Sequence, residues 1–459
     1  MILRYGCVVV AASGCAGVLG LEESNRLTVT QLDIQPGTLT PRFDPDVGEY
    51  ALTFTDGVAE FDVTATSSDP DAELSFEGVT SLVPTMQSIV PIGTEVAAIA
   101  LLATSPTGIE TRYSITLDRT PFGIDFAPPQ MLTVSGVTNS LAVGDVNKDT
   151  LQDIGVTTAP GPGATPDLLL NTGGGMFQKS SLPANGDPIA FGALVDNNDS
   201  PDLVLGGATT AVISNTGPGT FPVSGTQALS SINAQGIAIG EFTGDARLDL
   251  ALVGSGQLCV FRGDASGQLQ AITPCAAVGV PSAVVSAQFD TLPGPDLAII
   301  DANTNIVRIM ANTGGGTFAE RQLMVGTPGM PLFAMATADF DNDGRADLAL
   351  TNPMGDRVEL VTEIGSADKR SAIDVTRPGG IAAGDLDGDG KIDLVVANAE
   401  PDPEFTVLRN LGDGTFATKT FIVPHPPRKF AIADVTGDGR QDIVMTTITN
   451  IVLIVPGKP

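Results

Sequence analysis

A repeat of 46 to 51 residues runs from about residue 120 to the end of the chain. Each copy carries a nine-residue loop whose fullest form is Asp-x-Asp-x-Asp-Gly-x-x-Asp, and a short apolar run follows the last aspartate. These last aspartates are Asp153, Asp202, Asp249, Asp296, Asp347, Asp393 and Asp442. A unit of nearly fifty residues accommodates about four short strands, which is the size of one propeller blade. The period therefore predicts one small β unit repeated seven times.

A second marker is rich in glycine and ends in a Phe that lies 19 to 24 residues after the last aspartate of the loop; it occurs in four copies, at residues 173–177, 217–221, 314–318 and 412–416. Glycines there suit a hairpin that needs positive φ, with the Phe turned inward. The last repeat lacks this marker, and its missing pieces precede the first loop, in residues 126–132 and 141–143. We therefore predict a closed ring with one blade built from both chain ends. A solenoid is the alternative, but it would not need a split repeat.

These phased loops and markers resemble the FG-GAP and VCBS repeats of bacterial surface proteins, which share their blade type with the integrin α-subunit propeller. The resemblance covers residues 120–459. It implies an all-β fold with a seven-bladed β-propeller. The abundance of Gly (53) and Pro (33), with only 17% charged residues, agrees with many short strands joined by tight turns.

Residues 26–118 form a separate all-β module in our prediction. Strand-like runs begin at Leu27, Tyr50, Phe61, Val96 and Tyr113. The segments Gly37-Thr-Leu-Thr-Pro-Arg-Phe-Asp-Pro-Asp-Val-Gly-Glu-Tyr50 and Thr111-Arg-Tyr-Ser-Ile-Thr-Leu-Asp-Arg119 resemble the opening and closing motifs of the bacterial cadherin-like domain. The resemblance implies an immunoglobulin/cadherin-like β-sandwich that acts as a spacer or adhesive module.

The first fifteen residues read as an export signal, and residues 16–25 as a polar tether. Arg4, a short apolar stretch and Ala12-Ser13-Gly14 precede Cys15. The arrangement resembles a bacterial lipoprotein signal, which implies lipidation of Cys15 and an outer-membrane or other envelope location. A plain signal peptide with secretion, or a buried N-terminal strand, is the alternative. No other stretch has the roughly 20 apolar residues of a membrane span, so lipid would be the only membrane anchor.

Two further cysteines, Cys259 and Cys275, lie 16 residues apart on neighbouring candidate strands of one repeat. In an oxidising compartment they could form a disulfide. The alternative is a pair of buried thiols that pack as small hydrophobic groups.

The aspartate loops predict calcium sites. Side-chain oxygens at loop positions 1, 3, 5 and 9 can converge on one ion, a backbone carbonyl at position 7 can complete the site, and glycine at position 6 permits the bend. Oxygen ligands from a flexible loop favour Ca²⁺ over Mg²⁺ and exclude Zn²⁺. Position 12 is apolar, so the loop is not an EF-hand. Two loops keep the full pattern: Asp339, Asp341, Asp343, Arg345 and Asp347, and Asp385, Asp387, Asp389, Lys391 and Asp393.

The remaining loops depart from the pattern to different degrees. Two more sites are expected. One loop has Asp145, Asn147, Asp149 and Asp153 but lacks the glycine at position 6. The other has Asp434, Thr436, Asp438 and Asp442, with Thr at position 3. The loop from Glu241 to Asp249 has Glu at position 1 and Thr243 at position 3, and the sequence leaves open whether it holds an ion. Leu194 and Leu292 occupy ligand positions in the other two loops, so there we expect no ion, with Asp202 and Asp296 capping turns through backbone hydrogen bonds.

Composition and motifs argue against several functions. A net charge of −30 makes nucleic acid an improbable partner. The single histidine, His425, lies between prolines, and the sequence has no Gly-x-Ser-x-Gly or His-Glu-x-x-His. Without Trp, and with all three tyrosines before residue 120, any partner must be held by Phe, backbone or charge. The residues Arg262-Gly263-Asp264 spell an integrin-binding tripeptide. They fall where other repeats have their glycine hairpin, so the need for a turn explains them.

The sequence therefore predicts an exported surface protein with a non-catalytic binding or adhesion role toward an extracellular protein or glycan. The sequence does not indicate an oligomeric state. A polysaccharide-active enzyme and a purely structural envelope component are the alternatives.

Overall fold

The computed structural model describes residues 27–458 except for 36, 56–59, 77–78, 82–84, 92–97, 121, 160–164, 196–197, 230–231, 264–266, 303, 366–367, 400–402 and 413. The predicted signal peptide, the tether and Cys15 lie outside the described residues. The chain divides into two compact units between residues 121 and 122. No helix in the described part of the chain is both long enough and apolar enough to cross a membrane.

The N-terminal unit has two sheets. Its strands are β1 (Val29–Gln35), β2 (Thr38–Thr40), β3 (Glu49–Thr55), β4 (Glu60–Ser67), β5 (Glu73–Phe76), β6 (Val79–Ser81), β7 (Thr85–Pro91), β8 (Ala98–Thr104) and β9 (Glu110–Thr120). One sheet has the order β1-β4-β7 and the other the order β2-β3-β9-β8-β5-β6. Only the β3–β9 pair among these described strands is parallel. Strand β9 ends two residues beyond the predicted domain end at residue 118.

Both sheets contribute to one hydrophobic core in the N-terminal unit. In β8 every second residue, Ile99, Leu101 and Ala103, is buried, which is the period-2 pattern of a strand with one covered face. Tyr113 also lies in this core, and its hydroxyl accepts the backbone N–H of Val29 (3.0 Å) and donates to the carbonyl of Pro45 (3.2 Å). The hydroxyl thus ties β9 to β1 and to the segment before β3.

The described residues from 122 onward form seven four-stranded antiparallel sheets. Sheet 1 has β11 (Thr138–Gly144), β12 (Asp153–Thr158), β13 (Asp167–Asn171) and β14 (Phe177–Ser181). Sheet 2 has β15 (Ile189–Gly192), β16 (Asp202–Leu205), β17 (Thr210–Ile213) and β18 (Thr226–Leu229), with a 3₁₀ turn at Val223–Gly225 before β18. Sheet 3 has β19 (Ala234–Gly240), β20 (Asp249–Gly254), β21 (Gln257–Gly263) and β22 (Leu269–Ala277).

The remaining sheets follow the same order. Sheet 4 has β23 (Pro281–Ala287), β24 (Asp296–Asp301), β25 (Ile306–Gly314) and β26 (Thr317–Met324). Sheet 5 has β27 (Met335–Ala338), β28 (Asp347–Asn352), β29 (Arg357–Thr362) and β30 (Lys369–Asp374). Sheet 6 has β31 (Pro378–Gly384), β32 (Asp393–Asn398), β33 (Glu404–Asn410) and β34 (Phe416–Ile422). Sheet 7 has β35 (Pro427–Ala433), β36 (Asp442–Thr447), β37 (Ile451–Val455) and, from the other end of the unit, β10 (Gln130–Thr133).

The first strand of each sheet contacts the first strands of the two neighbouring sheets. The contacts follow the order β11, β15, β19, β23, β27, β31, β35 and return from β35 to β11. The first strands therefore line the centre of the unit, and the sheets follow one another around it.

The pairing of β10 corrects one part of the sequence prediction. Residues 130–133 pair with β37 and complete sheet 7, as expected for a split repeat. Residues 141–143 instead belong to β11, which pairs with β12 and begins sheet 1. The sequence could not separate the two, because both segments are short apolar runs that precede the first loop.

Second strands are buried along almost their whole length because neighbouring sheets cover both of their faces. In β20, Leu250 and Leu252 pack against sheet 2, whereas Ala251 and Val253 pack against sheet 4. Burying each side chain of this kind contributes roughly 1.5–3 kcal/mol relative to leaving it in water, somewhat less for alanine. Continuous burial, and not alternation, thus marks the second strand in this sequence.

The glycine–Phe markers lie between the third and fourth strands, with their glycines at positive φ as predicted. Their Phe side chains face the preceding sheet. Phe318 packs edge-on against Phe242 with ring centroids 6.0 Å apart, and Phe416 packs against Phe340 at 6.1 Å.

Candidate metal centre

Each nine-residue loop connects the first strand of a sheet to the second. The aspartate at position 9 is the first residue of the second strand and is at most 1% exposed in all seven sheets. In Asp393, Oδ2 accepts the N–H of Leu386 at loop position 2 (3.0 Å), and Oδ1 accepts the N–H of Asn410 at the end of the third strand (2.8 Å). The carboxylate therefore fixes both the start of its own loop and the end of the third strand.

The loops at Asp339 and Asp385 each bring three carboxylates together. Asp339, Asp341 and Asp347 offer oxygen atoms within 4.8 Å of one another, as do Asp385, Asp387 and Asp393. Backbone N–H groups hold the first aspartate in place: Gly344 donates to Asp339 Oδ2 (2.8 Å) and Gly390 to Asp385 Oδ2 (3.0 Å). Both glycines have φ near +85° (86° and 83°), the bend that glycine at position 6 was predicted to allow.

Position 5 differs from the predicted arrangement, because its carboxylate is held by a neighbouring cation. Asp343 Oδ2 accepts hydrogen bonds from Arg345 Nε (3.0 Å) and Nη2 (2.5 Å), and Asp389 Oδ2 lies 3.1 Å from Lys391 Nζ. Position 5 was predicted to ligate the ion through its side chain and position 7 through its backbone carbonyl, and the ion pairs of the position-7 side chains were not predicted. Three carboxylates converge in each loop instead of four.

An additional cation lies at the Asp385 loop. Arg409 Nε donates to Asp387 Oδ2 at 2.6 Å, and its Nη2 lies 3.5 Å from Asp389 Oδ2. The guanidinium offsets part of the carboxylate repulsion there. The Asp339 loop has no equivalent among the described residues, because Thr362 occupies the matching position of β29.

Asp347 has an unsatisfied oxygen. In the other six sheets Oδ1 of the position-9 aspartate accepts a backbone N–H from a residue within two positions of the end of the third strand. In sheet 5 the corresponding residue is Glu363, which has φ +52°, and Asp347 Oδ1 is buried without a hydrogen-bond partner among the described residues. A buried carboxylate oxygen without a donor is costly, and a bound cation would satisfy it.

In both clusters the pKa of the buried position-9 aspartate is raised. Burial, together with the nearby carboxylates of Asp341 and Asp339, raises the pKa of Asp347 to about 7. Burial and the neighbours Asp387 and Asp389 raise the pKa of Asp393 to about 7 as well. Three acidic groups held this close, with one of them buried, have the chemistry of a site for a hard divalent cation.

The two partly preserved loops do not assemble three acidic groups within the described residues. At the first loop, Asn147 Nδ2 donates to Asp149 Oδ2 (2.9 Å), so the amide contacts the carboxylate and not an ion-binding space. At the last, Asp434 accepts the N–H groups of Gly437, Asp438 and Gly439, and the backbone N–H of Thr436 donates to Asp442 Oδ2 (2.8 Å). These loops keep the backbone path of the site with fewer converging carboxylates.

The shared backbone path explains the missing glycine of the first loop. Thr150 stands at position 6 with φ +74°, and Ala246 at the same position of the third loop has φ +67°. Positive φ in such residues costs on the order of 1–3 kcal/mol, so the loop conformation is imposed by its surroundings. In the third loop Glu241 Oε1 accepts the N–H groups of Thr243 and Asp245 (both 3.1 Å) and of Gly244.

The loops expected to hold no ion use their position-9 aspartates as backbone caps. Asp202 Oδ2 accepts the N–H groups of Leu194 (2.8 Å) and Val195 (2.7 Å). Asp296 Oδ2 likewise accepts those of Phe289 (2.9 Å) and Asp290 (3.2 Å).

A set of asparagines links neighbouring sheets, and these residues were not among the predicted site residues. The Nδ2 of each donates to the carbonyl of loop position 2 in the preceding sheet: Asn171 to Val435, Asn215 to Val146, Asn312 to Phe242 and Asn410 to Phe340. The distances lie between 2.7 and 3.1 Å. A signal was present, because all four glycine–Phe markers have Asn two residues before their first glycine.

The other sequence candidates lie away from these clusters. Cys259 and Cys275 form a disulfide between β21 and β22, with Cα atoms 4.6 Å apart. Arg262 and Gly263 end β21, and Asp264 lies outside the described residues. His425 lies in the segment between β34 and β35 and has no role in either cluster.

Comparison with known proteins agrees with this architecture. The FG-GAP-like repeat matches residues 294–350 and 375–445, and the FG-GAP repeat matches residues 333–368. Both carboxylate clusters lie inside the matched segments. The chain thus contains FG-GAP repeats. No curated protein matches the chain.

Solved structures of similar fold are propeller-like. A crystal structure of BBS1N in complex with ARL6DN, soaked with lead, matches with 14% identity and a TM-score of 0.53, covering 73% of this chain and 97% of that one. The same complex soaked with mercury matches with 12% identity and a TM-score of 0.54 over the same shares. At these identities the likeness concerns the fold, and it defines an all-β protein of the β-propeller type.

Proposed function

We propose that this chain is an exported, lipid-anchored surface protein whose calcium-binding propeller serves a non-catalytic binding or adhesion role. The observation that carries the calcium proposal is the pair of carboxylate clusters, above all the unpartnered Oδ1 of Asp347 beside Asp339 and Asp341. In each cluster the three aspartates would hold the ion. The ion would neutralise the cluster and cross-link the loop to the second strand.

The architecture we propose is a seven-bladed propeller preceded by a cadherin-like sandwich. The circuit of first-strand contacts and the completion of sheet 7 by β10 support the closed ring. The two sheets of the N-terminal unit, which share one core, support the sandwich. A closed ring protects the strand edges that an exposed protein must cover.

The proposed export rests on the N-terminal residues and on the disulfide. A disulfide persists in an oxidising compartment, which favours a location outside the cytoplasm. In expressing bacteria, a palmitate analogue should label the wild type and not Cys15→Ser. Equal labelling of the two proteins, or of neither, contradicts lipidation.

Calcium binding is tested by titration of the EDTA-treated protein, followed by calorimetry and thermal unfolding. We expect binding with dissociation constants of about 10⁻⁴ to 10⁻³ M and a higher unfolding midpoint with calcium. The variant Asp341→Asn should lose one site. Its matched control is Asp290→Asn, which changes position 3 of a loop with Leu292 at position 5. A midpoint that calcium and EDTA leave unchanged would contradict the proposal.

The binding role is tested on glycan and cell-binding arrays with the calcium-loaded protein. Specific retention by an extracellular protein or glycan is the expected result. Turnover of any polysaccharide would contradict the non-catalytic assignment.

A further inference from the structure

Two adjoining cavities lie where the first strands of sheets 4 to 7 begin. Their volumes are about 610 and 420 Å³, and Phe333, Gly380 and Lys429 line both. We call the two together the central groove. The carboxylate loops follow the other ends of the same strands, so the groove lies away from the proposed calcium sites. Each volume falls within the range typical of small-molecule pockets, roughly 300–1,000 Å³.

One side of the central groove is apolar and exposed. Phe333, just before β27, is 60% exposed, and Met354, in the turn between β28 and β29, is 65% exposed. Pro331, Leu332 and Pro353 extend the same apolar lining. Large apolar side chains grouped around a concave surface mark a site where an apolar partner is bound.

Small residues line one part of the groove. A Cβ on Gly380 would lie 2.0 Å from the carbonyl oxygen of Arg428, so only glycine fits between β31 and β35 there. Gly379, Ala397 and Ala399 line the same part of the groove. Because these residues have small side chains or none, they leave space for a ligand in this part of the groove.

The groove is also lined by a cation, Lys429, that has no counter-ion among the described residues. Lys429 lies in the bulge between Pro427 and Phe430, and its Nζ donates to the buried Ser140 Oγ at 2.9 Å. An ammonium group has three donors, and within the described part of the chain no carboxylate lies within ion-pairing distance of Lys429. Most other lysines and arginines with polar contacts in this unit form ion pairs, including Arg308, Arg321 and Arg409.

Two further polar groups line the groove. Ser282 lines the first cavity, and its buried Oγ has no hydrogen-bond partner among the described residues. Asp187 lines the second cavity, and its Oδ1 already accepts the hydroxyl hydrogen of Thr157 (2.6 Å).

We propose that the central groove binds a small ligand that has an apolar body and one carboxylate. Phe333 and Met354 would contact the body, and Lys429 would pair with the carboxylate. On a chain of net charge −30, an unpaired lysine beside an exposed apolar surface selects for an anion of this kind. The inference rests on the proposed binding role and names the ligand class for it.

Calorimetric titration of the whole chain with 4-phenylbutanoate and with its neutral amide tests the proposal. We expect saturable binding of one equivalent, with the acid bound about five-fold more tightly than the amide because of one partly exposed ion pair. Phe333→Ser should weaken the binding of both compounds. Lys429→Gln should remove the difference between them.

Matched substitutions outside the groove control for nonspecific effects. Ile422→Ser changes an apolar residue that is 77% exposed on β34, and Lys179→Gln removes an exposed lysine of β14; both should bind like the wild type. Absence of binding, or an acid preference that persists in Lys429→Gln, would overturn the groove assignment. The glycan and cell-binding arrays test the general binding role independently of the groove. If Phe333→Ser still binds on the arrays, the general binding role stands even when the groove assignment fails. If the wild type does not bind on the arrays, the general binding role is contradicted.

Discussion

At the scale of single residues, the position-9 aspartates and the third-strand asparagines form one hydrogen-bond system. Asp296 Oδ1 accepts the N–H of Asn312 (2.7 Å), and Asn312 Nδ2 donates to the carbonyls of Phe242 (3.1 Å) and Pro295 (3.2 Å). Phe242 belongs to sheet 3 and Asn312 to sheet 4, so the asparagine bonds across the boundary between sheets. Buried polar groups of this kind are costly to leave unpaired.

Asn312→Ala should therefore destabilise the protein by about 1–3 kcal/mol, because it leaves buried carbonyls without a donor. Asn450→Ala, in the exposed turn before β37, is the matched control and should change the unfolding free energy by less than about 0.5 kcal/mol. Urea unfolding of the three proteins measures both values. Equal stability of the two variants would contradict the role assigned to Asn312.

The buried aspartates make a second residue-scale prediction, for the metal-free protein. The folded pKa of Asp393, about 7, lies above its value in the unfolded chain, about 3.9. The folded state therefore binds the proton more tightly, and the stability that this proton contributes is full below pH 4 and lost as the pH rises through 7.

In EDTA, the wild type should consequently lose more stability between pH 5 and pH 7.5 than Asp393→Asn does. Denaturant unfolding at the two pH values measures the difference. Calcium should reverse the trend for the wild type, because the ion binds the deprotonated carboxylate. Parallel pH profiles for the two proteins in EDTA would show that Asp393 does not titrate in this range.

At the scale of elements, the disulfide joins the third and fourth strands of sheet 3. It closes a loop of 16 residues between β21 and β22. Both cysteines belong to the core shared with sheet 2, and Cys259 is only 4% exposed. The bond thus restrains the edge of sheet 3. In this sheet the third strand ends in Gly263, whereas sheets 1, 2, 4 and 6 have at the equivalent position an asparagine that bonds to the preceding sheet.

Replacing both cysteines by alanine should cost about 3 kcal/mol, the chain-entropy value for a loop of this length. A reducing agent should lower the unfolding midpoint of the wild type and leave that of the double variant unchanged. If reduction affects both proteins equally, the loss arises elsewhere than at this bond.

The elements also show what the sequence could and could not predict. The loop position, the buried second strand and the glycine hairpin follow from local patterns, since each depends on residues adjacent in sequence. The contacts of Asp343 with Arg345 and of Arg409 with Asp387 do not follow, because loop ligation and ion pairing draw on the same residue types. The partners of the asparagines lie 69 to 264 residues away, in another sheet, and no local pattern identifies them.

At the scale of the whole molecule, the proposed ring depends on a four-residue strand from the beginning of the C-terminal unit. Strand β10 covers the edge of β37, with Leu132 opposite Val452 and Met131 opposite Leu453. Leu132 is partly buried against the core shared by sheets 1 and 7, whereas Met131 is 55% exposed. Sheets 1 and 7 also bond directly, through Thr138 Oγ1 and the carbonyl of Thr447 (2.7 Å).

Leu132→Asp should displace β10, because it places a charge in that shared core. The released edge of β37 would then be free to pair with another molecule. We expect a lower unfolding midpoint and a concentration-dependent increase in mass by light scattering. Met131→Asp adds the same charge on the exposed side of the same strand and should stay close to the wild type in both measurements. A Leu132→Asp variant with wild-type stability and mass would mean that the ring does not need β10 to remain closed.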